Sequence, residues 1–148
     1  MRNFKQKLDM QIKTAQTKED FLKCFDAMQA LRPHLTHQLF LDLMQKMQAE
    51  NYTLIYIEEE NKVISACGFR YLTTLFDGRY IYIDDLSTLP EARGKGHAGM
   101  LFDFVVEKAK SENLKAVHLD SGHQRFDAHR LYLNKGMKIV NHHFKLEL

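Results

Sequence analysis

The chain is poor in cysteine and proline, with two of each in 148 residues. Cys24 and Cys67 lie far apart, which excludes a C-x-x-C redox or zinc motif. Pro33 and Pro90 act as punctuation and leave the intervening stretches free to form long elements. An excess of one charge is missing too: 21 Lys and Arg against 19 Asp and Glu leave a formal net charge of +2. That balance argues against a disordered tail and against a nucleic-acid protein, which would carry a basic stripe. No apolar run nears the ~20 residues a membrane span needs, and the start Met1-Arg2-Asn3-Phe4-Lys5 lacks the apolar core of a signal peptide. Low-complexity tracts and internal repeats are absent. With 45% hydrophobic residues, the chain can bury one core, and the expectation is a soluble, cytoplasmic protein with a single domain over residues 1–148.

The hydrophobic periods set out the elements. A short strand is expected near Met10 to Ala15. Thr17, with Asp20 three residues on, predicts a capped helix carrying Phe21, Leu22, Phe25, Met28 and Leu31 and ending before Pro33. A second helix, roughly Thr36 to Glu50, aligns Leu39, Phe40, Leu43, Met44 and Met47 as a core-packing stripe. Two apolar segments, Tyr52 to Ile57 and Val63 to Leu72, flank the acidic turn Glu58-Glu59-Glu60-Asn61 and read as a hairpin. Asp77-Gly78 marks a turn into the β-prone run Tyr80-Ile81-Tyr82-Ile83. From Gly96 the period changes: Ala98, Leu101, Phe102, Val105, Val106 and Ala109 form one face of an amphipathic helix. A strand at Ala116 to Leu119, a helix from Gln124 to Lys135 stopped by Gly136, and two strands, Met137 to Val140 and Phe144 to Leu148, complete the reading. The order is that of an α/β or α+β sheet with helices on both faces.

The stretch Tyr80 to Met100 carries the most chemical information. A strand leads into Arg93-Gly94-Lys95-Gly96-His97-Ala98-Gly99, which opens the amphipathic helix. Such a junction gathers unpaired backbone N–H groups at the positive end of a helix dipole, a place suited to phosphate or pyrophosphate. Glycine lets the anion reach the backbone, and Arg93 and Lys95 add positive charge. The spacing is neither that of a P-loop nor G-x-G-x-x-G. On spacing alone, a turn that merely starts the helix remains an alternative.

Arg93-Gly94-Lys95-Gly96-His97-Ala98 resembles the Q/R-x-x-G-x-G/A signature of the GNAT family of N-acetyltransferases. Some thirty residues on, Ala128-His129-Arg130-Leu131-Tyr132-Leu133-Asn134-Lys135-Gly136-Met137 resembles that family's A-x-x-F/L-Y-x-K-x-G-F segment. The resemblance implies a mixed, mostly antiparallel central sheet with helices on both faces and a splayed strand pair at the cofactor site. It implies acetyl-coenzyme A as donor, with the pyrophosphate on the backbone of Arg93 to Ala98 and the pantetheine arm against Leu86, Ser87 and Thr88. The Leu86 N–H would polarise the thioester carbonyl, and donors of this kind contribute ~3 kcal/mol to lowering the barrier. Tyr132 aligns with the family tyrosine that serves as acid toward the leaving thiolate; orienting the sulfur, or plain packing, are the other readings. Where many members carry an asparagine this chain has Arg125, which could bind a donor phosphate or an anionic part of the acceptor.

Transfer to an amine also needs a group to receive its proton. Asp84 and Asp85 interrupt an otherwise apolar strand, in conflict with β propensity. Alternation along a strand would aim only one of them at the acceptor cleft, and a bulge or a salt bridge to Arg70 or Arg79 is the structural alternative. Asp120, Ser121 and His123 are secondary candidates for acceptor contact. The histidine pairs His34/His37, His118/His123 and His142/His143 lack carboxylate or cysteine company at metal-site spacing, so no metal is expected; His118 reads as a hydrogen-bonded strand residue. The expected activity is direct acetyl transfer to a primary amine of a small molecule, or to a lysine-like side chain, in a ternary complex. A non-catalytic acyl-coenzyme A sensor is the alternative. No nucleic acid or membrane partner is expected, and a homodimer through the closing strands stays open.

Overall fold

A computed structural model describes residues 12–148. Strand β1 (Ile12–Thr14) confirms the described part of the first expected strand; Met10 lies outside the described residues. Helix α1 (Lys18–Leu31) opens with the predicted capping box. The Thr17 hydroxyl accepts from the Asp20 N–H at 3.1 Å, and the Asp20 carboxylate accepts from the Thr17 and Gln16 N–H groups at 3.0 and 2.9 Å. Those bonds hold the Asp20 carboxyl below its ordinary range. Helix α2 (His37–Ala49) is capped by Thr36. Its stripe is covered only in part: Phe40 and Met44 are buried, while Leu39 and Leu43 stay exposed.

Strands β2 (Thr53–Glu59), β3 (Lys62–Thr74), β4 (Gly78–Thr88) and β5 (Val117–Leu119) join β1 in a five-stranded sheet of order β1-β2-β3-β4-β5, with β1 to β4 antiparallel neighbours. Glu60 and Asn61, both at positive φ, turn β2 into β3, as a tight hairpin requires. Successive β3 side chains then sort the helices between two faces. Arg70 bonds Glu50 at the end of α2, while Tyr71 bonds Glu112 at the end of helix α3 (His97–Ser111). Helix α3 buries Leu101, Phe102, Val105 and Ala109, as its period predicts. A short 3₁₀ turn, Pro90–Ala92, links β4 to the loop before α3.

The chain forms two compact units, one ending at His118 and one spanning Leu119–Leu148. In the second, helix α4 (Phe126–Asn134) ends as the glycine predicts. Gly136 takes φ +88°, its N–H bonds the Leu133 carbonyl, and the Met137 N–H bonds the Tyr132 carbonyl, both at 3.0 Å. The two closing strands expected at 137–140 and 144–148 are not formed: residues 137–148 lie outside any strand, with Val140, Phe144 and Leu146 exposed. β-prone side chains favour a pleated surface without supplying the neighbouring strand that makes one.

Candidate active site

The loop between β4 and α3 takes its shape from two glycines. Gly94 and Gly96 lie at φ +78° and +85°, and Gly96 is the N-cap of α3 with no side-chain cap bond. An L side chain is strained at such φ values, although nothing within 4 Å would touch a Cβ there. The first intrahelical bond runs from the Met100 N–H to the Gly96 carbonyl at 3.0 Å. The N–H groups of His97, Ala98 and Gly99 therefore have no acceptor within the helix and point out of its positive end. Arg93 and Lys95 are exposed, with the Arg93 Nε donating to the Thr88 carbonyl at 3.3 Å. His97 is buried beneath the loop.

Upstream, β4 pairs Thr88 with Ser65, Ser87 with Ala66, Leu86 with Cys67 and Asp85 with Gly68. The Ser65 hydroxyl donates to the Ser87 carbonyl at 3.0 Å and lies 2.8 Å from the Thr88 hydroxyl, pinning this end of the strand from within the core. The Tyr80 ring stacks on His118, and the Ile81 N–H bonds the Ala116 carbonyl, so these contacts with β5 fall on the first half of β4. His118 also meets the Asp77 carboxylate at 2.9 Å, the hydrogen-bonded role expected of it.

The aspartate pair departs from simple alternation. The register shifts so that Gly68 faces Asp85 and Phe69 faces Ile83, leaving Asp84 as an extra residue in a bulge. Both aspartates consequently join one network. Asp85 accepts from Arg32 Nε and Nη2 at 3.2 and 3.0 Å and from the Tyr52 hydroxyl at 2.8 Å. Asp84 accepts from Arg70 Nε at 2.9 Å, and its carbonyl accepts from Arg32 Nη2 at 3.2 Å. Arg70 also bonds Glu50 at 2.9 Å, and its guanidinium lies over the Tyr52 ring. Of the two arginines considered from the sequence, Arg70 is the partner, whereas Arg79 sits over the Tyr71 ring. Burial raises the Asp84 carboxyl, against the pull of Arg70. Burial beside Asp85 raises the Tyr52 hydroxyl well above its usual range, so it stays a proton donor.

Arg32, Tyr52 and Glu50 were not singled out by pattern. The available signal was Gly68, a lone glycine inside a strand, which often marks a bulge or a close approach. Here it marks both: a Cβ on Gly68 would fall 1.6 Å from the Tyr52 hydroxyl oxygen. Beside Tyr52, a polar groove of ≈ 480 Å³ is lined by Gln48, Asn51, Tyr71, Thr73 and Arg79 among others.

The remaining candidates lie in the second unit. Tyr132 is half-buried on α4, and Arg125 is exposed at its N-cap without a side-chain cap bond. Asp120 meets His143 at 3.2 Å, the Ser121 hydroxyl is buried, and His123 is exposed. Among the described residues no group of three His, Cys, Asp or Glu is placed to hold a metal ion. Nor is any of their helices long and apolar enough to cross a membrane.

Known proteins similar to this chain share its family and its fold. The family model for the acetyltransferase (GNAT) family matches residues 15–137. An uncharacterised N-acetyltransferase of Bacillus subtilis, YhdJ, is 32% identical over 136 residues, covering 90% of this chain and 96% of that protein. A protein of Agrobacterium tumefaciens assigned as an acetyltransferase has the same fold, with a TM-score of 0.79 at 22% identity over 93% of this chain and 99% of that one. So does a predicted acetyltransferase of Clostridium acetobutylicum solved with acetyl-CoA, with a TM-score of 0.71 at 21% identity over 92% and 94%. The chain belongs to the GNAT family of acetyltransferases and is an acyltransferase.

Proposed function

We propose that the protein transfers the acetyl group of acetyl-coenzyme A directly to a primary amine of a small molecule, or to a lysine-like side chain, within a ternary complex. The observation that carries this reading is the α3 N-terminus, where Gly94 and Gly96 at positive φ expose main-chain N–H groups. The loop fits a diphosphate because the space beside both glycines is open and Arg93 and Lys95 flank it. When bound there, acetyl-coenzyme A supplies the activated acyl group. The backbone of 93–98 holds its diphosphate, the edge at Leu86, Ser87 and Thr88 aligns the pantetheine arm, and the Leu86 N–H polarises the thioester carbonyl. Arg125, charged and exposed, is our candidate for binding a donor phosphate or an anionic part of the acceptor. Both units serve one acetyltransferase domain over 1–148, since the family match runs across their boundary at His118.

The bulge divides the acceptor work between its two aspartates. Asp85 is saturated by Arg32 and Tyr52 and anchors the strand. Asp84, with a carboxyl raised by burial, is the better group to receive a proton from the ammonium, directly or through water. Three carboxylates, Glu50, Asp84 and Asp85, outweigh two guanidiniums in this network, which favours a cationic acceptor. The groove beside Tyr52 gives such an acceptor a polar wall. Tyr132 then protonates the departing thiolate.

A coenzyme A-release assay over polyamines, aminoglycosides, amino acids and aminoalkylphosphonates tests the acceptor class, and saturable release with none of them overturns it. Replacing Tyr132 by Phe should lower kcat about tenfold or more while leaving KM nearly unchanged. Unaltered kcat would remove the hydroxyl from the mechanism.

A further inference from the structure

His97, the first residue of α3, is only 9% exposed, and neither of its ring nitrogens has a hydrogen-bond partner. A buried imidazole in that condition needs a cause, because buried polar groups are almost always bonded. Among the described residues, the acid paired with it is Glu59 at the end of β2, whose Oε1 lies 3.6 Å from His97 Nε2. That is just beyond hydrogen-bond reach for a neutral ring, and a few tenths of an ångström would close it for a charged one. Glu59 is itself 54% exposed and able to move.

The acids carried by the neighbouring segments are already paired, Glu58 with Lys13 and Lys23 and Glu91 with Lys62. Lys62, which opens β3 opposite Glu59, is engaged with Glu91 at 2.9 Å. Arg93 and Lys95 stand in the loop just before His97, and the α3 N-terminus contributes further positive potential. In the unliganded protein these set positive potential around the loop and the start of the helix. A diphosphate bound to the loop offsets that potential by neutralising all three.

We propose that His97 is a positioning residue for the pyrophosphate loop, and that donor binding draws a proton onto it and closes the ion pair with Glu59. The inference rests on the reading of the loop as the diphosphate site. Linkage makes the coupling reciprocal: a diphosphate that favours the imidazolium must bind more tightly where the imidazolium is populated. Affinity contributed by His97 is therefore present at low pH and lost as pH rises.

Calorimetric titration of the full chain with coenzyme A, in two buffers of different ionisation enthalpy near pH 7, reads this directly. The wild type should take up a fraction of a proton more than either His97→Asn or Glu59→Gln, which also subtracts the ligand's own phosphate ionisation. Between pH 8 and pH 6 its affinity should gain about threefold or more relative to Glu59→Gln, a variant that leaves the ring and the loop in place. Equal proton uptake and parallel pH profiles in the wild type and Glu59→Gln would overturn the His97 role while leaving the diphosphate site intact. Failure of the wild type to bind coenzyme A at all would overturn the loop reading, and this inference with it.

Discussion

The glycine loop before α3 and the aspartate bulge in β4 are close in sequence and built on opposite plans. In the loop the groups that matter are main-chain N–H donors, and the charged side chains Arg93 and Lys95 lie at the surface. In the bulge the side chains do the bonding: Asp84, Asp85, Arg32, Arg70 and Tyr52 satisfy one another in a half-buried cluster. A main-chain site tolerates changes of side-chain charge and fails when the backbone or its free space changes. A side-chain network fails when any one member leaves its partners buried and unbonded.

The largest effect should therefore come from Gly96→Glu. It forces an L residue to φ +85° and places bulk and negative charge where the anion belongs. Coenzyme A affinity should fall by about a hundredfold or more in a variant that keeps its circular dichroism. Lys95→Ala, which removes an exposed charge only, should cost about threefold. Equal losses would erase the distinction between the two plans.

Next in size is Asp85→Ala. It strands the Arg32 guanidinium and the buried Tyr52 hydroxyl together, and losing one partner of such a set costs about 3 kcal/mol. Urea denaturation measures it, and a change within ~0.5 kcal/mol would show that the network is ornamental. Gly68→Ala probes the same place from the neighbouring strand. The added Cβ displaces the Tyr52 hydroxyl from Asp85, with an expected destabilisation of about 2 kcal/mol from crowding.

The two plans also explain what could be read in advance. Glycine at 94 and 96 before an amphipathic period is a local pattern, and the loop, α3 and the Gly136 stop formed where the residues placed them. Asp84 and Asp85 were visible as polar residues in an apolar strand. Their common network was not, because a bulge is a property of pairing: only the shift from Gly68–Asp85 to Phe69–Ile83 brings both carboxylates to Arg32, Arg70 and Tyr52. Pairing also decides the closing segments, where β-prone residues at 137–148 form no strand. The half-covered stripe of α2 is the helical counterpart, since period locates a face but not the extent of its cover.

The smallest effect should separate the two aspartates by pH. Burial raises the Asp84 carboxyl, so the folded state binds its proton more tightly than the unfolded chain does. The contribution of Asp84 to stability is then fully present below the unfolded carboxyl range and is lost as pH rises through the raised folded value. Asp84→Asn cannot ionise and escapes that loss, while Arg70 keeps Glu50 as a partner. Measured by urea denaturation at pH 4 and again at pH 7, the Asn variant should gain on the wild type as pH rises. A variant that instead loses ground would mean that the bond to Arg70 outweighs desolvation, and that Asp84, like Asp85, is held as an anion for structure rather than poised to accept a proton.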